Sequence, residues 1–136
     1  MLVLFSTTSF SLILLGTLIL FLLISIQGIA VPTTGEYHYS QLLRMNFTWI
    51  AIVTYTITGF TVGYFFQLNC FLIGLSLIGI FPITSLIEST IYPGSHNLIP
   101  FEFFVFFIYS LPATIAAFAG RWLYQNTNKS PTSNAD

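Results

Sequence analysis

The side chains best suited to chemistry gather in one short stretch, residues 87–102, which reads IESTIYPGSHNLIPFE. It holds two of the four acidic residues of the chain, Glu88 and Glu102, and one of its two histidines, His96. The same stretch also fits a plain connection between helices. Pro and Gly stand at the centre of YPGS, as in a type II turn, and an acidic Glu102 suits the first turn of a following helix.

A second polar connection, residues 32–46, reads PTTGEYHYSQLLRMN and carries the other histidine. Carboxylate and imidazole groups are common ligands of divalent metals such as zinc and manganese. If the two connections lie on the same side of a membrane, their acids and histidines converge. The sequence then predicts a possible divalent-metal site, and no other cofactor, with these candidate ligands: Glu88, His96, Glu36 and His38.

A purely structural role for Glu88 competes with this hypothesis. Glu88 stands at the end of the third apolar run, where the negative end of a helix disfavours an acid. We therefore expect it to pair with a cation, either Arg44 or protonated His96, at the membrane interface. No spaced catalytic motif such as His-Glu-x-x-His occurs, and the sequence favours a protein that is not an enzyme.

The composition places most of the chain in lipid. Of its 136 residues, 55% are hydrophobic and 5% are charged, whereas a soluble domain carries about 25% charged residues. Three basic and four acidic side chains cannot cover a water-facing surface. The basic residues form no cluster, which argues against nucleic acid as a partner and leaves the lipid bilayer as the main one.

Four apolar runs divide the chain, at about residues 9–31, 47–67, 70–87 and 101–124. Each is near the ~20 residues that a helix needs to cross a membrane. The second and third runs joined as one helix would be about 60 Å long, roughly twice the thickness of the membrane core, so we predict a short turn between them at residues 67–69. We predict an all-α, polytopic membrane protein with a bundle of four transmembrane helices in one domain, residues 1–124. A polar tail, residues 125–136, has no apolar face to bury and is expected to be disordered.

Two features of this topology depend on flanking residues. The first run also resembles a cleaved signal sequence, but no basic residue precedes it and it is longer than a signal core, so we favour an uncleaved span. With four spans, Arg121 and Lys129 lie on the side of the termini and Arg44 on the other. The positive-inside rule then places both termini in the cytoplasm. We expect the protein to lie in the inner membrane of a bacterium.

Small residues recur at helical spacing in the second and fourth runs. They mark helix–helix contacts within the bundle or between copies, because small residues let helix backbones approach closely in lipid. The six predicted packing residues are Gly59, Gly63, Ala113, Ala116, Ala117 and Gly120.

Hydroxyl side chains also fall on these helices, as a stripe of Thr54, Thr58 and Thr61 on the second run. We expect them to bond to the carbonyls of their own helix. Pro112 removes an amide donor from the fourth run, and we expect Ser110 or Thr114 to relieve the carbonyl that loses its partner.

No Asp, Glu, Lys or His stands in the middle of any apolar run. Ion-coupled and proton-coupled transporters place such a residue there, so a pump is disfavoured. The sequence favours a structural or accessory subunit that associates through its small-residue faces, in a homo-oligomer or a larger membrane complex. Two alternatives stay open: the His/Glu site, binding a metal or performing proton-linked chemistry, and a passive small-solute pore formed by an oligomer.

Overall fold

The computed structural model describes residues 2–28, 38–92 and 99–128. All regular structure in these residues is helical, and they contain no strand, which confirms the all-α prediction for this part of the chain. The helices are α1 (Leu2–Gln27), α2 (His38–Met45), α3 (Trp49–Phe66), α4 (Cys70–Leu77), α5 (Ile80–Ile91) and α6 (Ile99–Thr127).

Three of these helices are long and apolar enough to cross a membrane: α1, α3 and α6. The number rises to four if α4 and α5, which meet at an angle of 50°, count as one bent span. Many large apolar side chains of these helices face outward, including Leu18, Ile57 and Phe104. Such an exterior suits a lipid solvent, because lipid does not penalise exposed apolar surface.

The turn between α3 and α4 forms at the predicted residues, 67–69, because Gln67 ends one helix and Asn69 starts the next. Gln67 adopts a left-handed conformation, with φ 48° and ψ 29°, and so terminates α3. Asn69 caps α4, since its side-chain oxygen accepts from the amides of Phe71 at 3.0 Å and Leu72 at 3.4 Å. This turn reverses the chain, because Phe71 and Gly74 of α4 pack on α6 in antiparallel order.

The third apolar run, which was predicted as one helix, is broken at Ile78 and Gly79. Pro82 is the cause: it has no amide hydrogen for the carbonyl of Ile78, and its ring would clash with that carbonyl in a continuous helix. Instead the amide of Phe81 donates to Ile78 at 3.0 Å. As the third residue of α5, Pro82 stands in a first turn, where its missing donor costs nothing.

Helix α1 packs against the broken span at its break. The backbone of Gly16 lies on the carbonyl of Leu77, and a Cβ at Gly79 would stand 2.8 Å from Ile13 Cγ1. The hydroxyl of Tyr55, a side chain that is 1% exposed, donates to the carbonyl of Gly16 at 2.6 Å. These contacts join α1, α3 and α4 deep in the bundle.

The termini of the helices fall at two ends of the bundle. Thr48, just before α3, donates to the side chain of Gln27 at the end of α1 at 3.0 Å. The start of α6 and the end of α5 meet α2 at this same end, which we call the α2 end. Residues 67–69 and the last turn of α6 lie at the opposite end, which we call the turn end.

Other boundaries differ from the predicted ones. Helix α1 begins at Leu2 and ends at Gln27, followed by Gly28 with φ 84°, so it starts and stops earlier than the predicted 9–31. Helix α6 continues to Thr127, beyond the predicted 124 and into the polar segment. The segment 129–136 lies outside the described residues, as does 29–37.

Candidate functional site

The polar groups at the α2 end form one cluster that holds α2 against the bundle. We call it the anchor cluster and define it as Ser40, Arg44, Glu88 and Glu102. Its members come from α2, α5 and α6, so it joins three helices that are separated in sequence. The residues of this cluster therefore show what the acids singled out in the sequence do in the fold.

Glu88 is buried, with 1% of its surface exposed, and its carboxylate accepts backbone amides from the first turn of α2. The amide of Tyr39 donates to Oε1 at 2.5 Å, and the amide of Ser40 lies 3.2 Å from both oxygens. The first amides of a helix have no partner inside it and carry partial positive charge. Glu88 thus caps α2 from another helix, although its own position near the end of α5 disfavours an acid.

Arg44 pairs with Glu102. It does not pair with Glu88, although that pairing was one of the two predicted alternatives. Arg44 Nη2 lies 3.2 Å from Glu102 Oε1, with the two side chains 32% and 12% exposed. The guanidinium also donates to Ser40, from Nε to the carbonyl at 3.4 Å and from Nη2 to the hydroxyl at 3.5 Å. Glu102 stands in the first turn of α6, as predicted, so it faces both a helix N-terminus and a cation.

Helix α2 itself was missed, because residues 32–46 were predicted to be only a connection. Its buried side is made of Ser40 and Leu43, and its outward side includes Tyr39 and Met45. Charge stabilises both ends of this short helix: the Glu88 carboxylate at its N-terminus, and Arg44 in its last turn. The amphipathic spacing of HYSQLLRM was the signal in the sequence that could have revealed it.

The four predicted metal ligands are only partly described. Glu88 is engaged by α2, and His38 begins that helix, while Glu36 and His96 lie outside the described residues. Among residues 2–28, 38–92 and 99–128, no three His, Cys, Asp or Glu side chains lie close enough together to hold a metal ion.

The predicted packing residues lie on a tight contact between α3 and α6, which we call the seam and define as Gly59, Gly63, Ala113, Ala117 and Gly120. A Cβ at Gly59 would overlap the carbonyl of Ala113, and one at Gly63 would overlap the carbonyl of Ala117. The paired numbers rise together, so the two helices run parallel.

Helix α6 also contributes a glycine to the seam, since a Cβ at Gly120 would overlap the carbonyl of Phe60 in α3. Ala113 and Ala117 are fully buried, and Ala116, the remaining predicted packing residue, is 8% exposed. Close backbone contact of this kind is what small residues provide in lipid. The seam is therefore filled within a single chain.

Most hydroxyls on the helices bond to their own backbone, as the sequence predicted for the threonine stripe. Thr54, Thr58 and Thr61 each donate to the carbonyl four residues earlier, at 2.8–2.9 Å. Ser110 donates to Phe107 at 2.7 Å, not to the carbonyl that Pro112 leaves without its amide. In the described part of the chain, the buried hydroxyls of Ser85 and Thr114 have no hydrogen-bond partner.

An aromatic cluster fills the space between the anchor cluster and the middle of the bundle. Phe47 contacts Tyr55, Phe81 and Tyr109, with ring centroids 4.9–5.6 Å apart. Phe47 lies just before α3, so this packing holds the connection between α2 and α3 in place.

Comparisons of the chain with models of known protein families, with curated proteins and with solved structures found no match.

Proposed function

We propose that this chain is a polytopic integral membrane protein of the bacterial inner membrane, with four spans and both termini in the cytoplasm. The spans are α1, α3, the bent pair α4–α5, and α6. Support comes from the length and apolar character of these helices and from the outward-facing large apolar side chains. Arg121, near the turn end, supports the orientation through the positive-inside rule.

Within the membrane, the protein acts as a structural or accessory subunit and not as an enzyme. One observation carries this proposal: the charged groups of the anchor cluster are engaged with the chain's own helices. Glu88 accepts amides of α2, and Arg44 pairs with Glu102. A buried carboxylate in a membrane protein is by default a functional-site hypothesis, and here it has a structural explanation.

The contacts of the seam limit the surfaces through which such a subunit can bind another protein. Its glycines already contact the facing helix of the same chain, so they are not available to bind another protein. A homo-oligomer or a larger complex would therefore use lipid-facing side chains, such as Phe21 or Leu18 on α1, both of which are exposed.

Native mass spectrometry of the protein, released gently from its own membrane, tests this role. We expect a species heavier than one chain, containing further copies or a partner in fixed ratio. A single chain without stoichiometric partners, under conditions that preserve a known membrane complex from the same preparation, would argue against an accessory subunit.

A metal-binding role makes a different prediction and can be tested separately. If Glu88 and His96 held a metal, saturating zinc or manganese would raise the melting temperature, because a ligand that binds only the folded state stabilises it. We expect no such rise, since Glu88 is already bonded to α2. Protection by metal that disappears in His96→Ala would contradict the structural role. A pore has no comparable support, because the threonine hydroxyls are turned to their own helix.

A further inference from the structure

The hydroxyl of Ser85 is an exception among the buried hydroxyls near the α2 end. Ser85 is 0% exposed, and its Oγ makes no hydrogen bond within the described structure. Its neighbour Thr84 donates to Ile80 at 2.8 Å, which is the usual arrangement on these helices. A buried polar group without a partner is costly and calls for a specific explanation, such as an ordered water.

Ser85 shares its helix face with an acid. The buried residues of α5 are Phe81, Ser85 and Glu88, so one stripe of the helix carries the hydroxyl and the carboxylate. Side chains three residues apart on a helix have Cβ atoms about 5–6 Å from each other. The Ser85 hydroxyl makes no direct hydrogen bond to the Glu88 carboxylate, but a separation of this size is short enough for one water molecule to bridge the two side chains.

We propose that Ser85 and Glu88 hold one ordered, buried water molecule beneath α2. The Ser85 hydroxyl donates to the water, and the water donates to a carboxylate oxygen of Glu88. A carboxylate has about four lone-pair sites, so it can accept this bond in addition to the amides of α2. A water with two or more polar partners is a normal component of a protein interior.

This inference goes beyond the proposed function and does not depend on it, because it concerns only how α2 is attached. The water extends the anchor cluster into one continuous chain of polar groups: Glu102, Arg44, Ser40, Glu88 and Ser85. Buried polar networks contribute to stability when every member is satisfied and are costly when one is not. Ser85 would then stabilise the attachment of α2.

Two measurements on Ser85→Ala test the water. The first is the melting temperature in detergent, which we expect to fall by a few degrees, because the bridge is lost. The second is the infrared carboxylate band of Glu88, identified by its absence in Glu88→Gln. We expect this band to shift in Ser85→Ala, because the carboxylate loses a hydrogen-bond donor.

Thr114→Val is the matched control, since Thr114 is also buried and its hydroxyl also lacks a partner in the described residues. Valine keeps the volume and removes the hydroxyl, so this variant should melt at the same temperature or higher, with the Glu88 band unchanged. For Ser85→Ala, a raised melting temperature or an unmoved Glu88 band would overturn the proposal, because either result means that the hydroxyl has no link to the carboxylate.

Discussion

Helix α5, which carries Glu88, destabilises the charged carboxylate, whereas the neighbouring helix α2 stabilises it. Near the end of α5, it faces the partial negative charge of free carbonyls. The amides of Tyr39 and Ser40 reverse this balance, because they supply hydrogen bonds and the positive end of α2. The carboxylate of Glu88 therefore helps to hold the segment before α3 as a docked helix.

Replacing Glu88 should cost more stability than replacing Glu102, although both are acids at the α2 end. Glu88→Gln keeps the shape but removes the charge, and charge-assisted hydrogen bonds contribute about 1.5–3 kcal/mol. Glu102→Gln loses an ion pair with a partly exposed Arg44, which contributes about 0–1 kcal/mol. Thermal unfolding in detergent measures both. Equal losses, or a larger one at Glu102, would show that the charged cap does not hold α2.

The phenol of Tyr55 makes a second long-range bond, between α3 and the backbone of α1. Tyr55→Phe removes only the hydroxyl that donates to Gly16, so we expect a loss of about 0.5–1.5 kcal/mol in unfolding free energy. Tyr64→Phe is the control, since the Tyr64 hydroxyl has no hydrogen bond within the described residues. If the two variants are equally stable, the bond to Gly16 contributes nothing measurable.

At the scale of the helices, the seam is a contact that is sensitive to added volume. Gly63→Leu should separate α3 from α6, because its side chain would meet the backbone of Ala117. Overpacking of this kind costs about 1–3 kcal/mol. Ala119→Leu, on an exposed position of α6, adds a similar volume facing outward and should behave as wild type. Unchanged stability of Gly63→Leu would place Gly63 away from any helix contact.

Hydropathy and spacing were enough to predict the helical class, the turn at 67–69 and the helical start around Glu102. Each depends on residues that are neighbours in sequence, such as the Asn69 cap of α4. The break at Ile78 was missed because the run stays apolar through Pro82, and hydropathy does not report backbone geometry. The bonds from the amides of Tyr39 and Ser40 to Glu88 were not predicted, because these donors lie 49 and 48 residues away in sequence.

For the molecule as a whole, the two ends of the bundle should be accessible from opposite sides of the membrane. Cys70 is a poor natural reporter for this, because it is 1% exposed. Exposed cysteines introduced at Gln41 in α2 and Asn126 in α6, in a Cys70→Ala background, report each end separately. In intact cells an impermeant thiol reagent should label Gln41→Cys and not Asn126→Cys, which should react only after permeabilisation. The reverse pattern would invert the orientation.

The parallel seam also bears on the order in which the chain assembles during synthesis. Gly59 and Gly63 leave the ribosome about fifty residues before their partners on α6, so the seam cannot form until the last helix has entered the bilayer. Until then, α3 packs against α1 and α4. A chain shortened before Ala113 would therefore leave the glycine face of α3 without its partner helix.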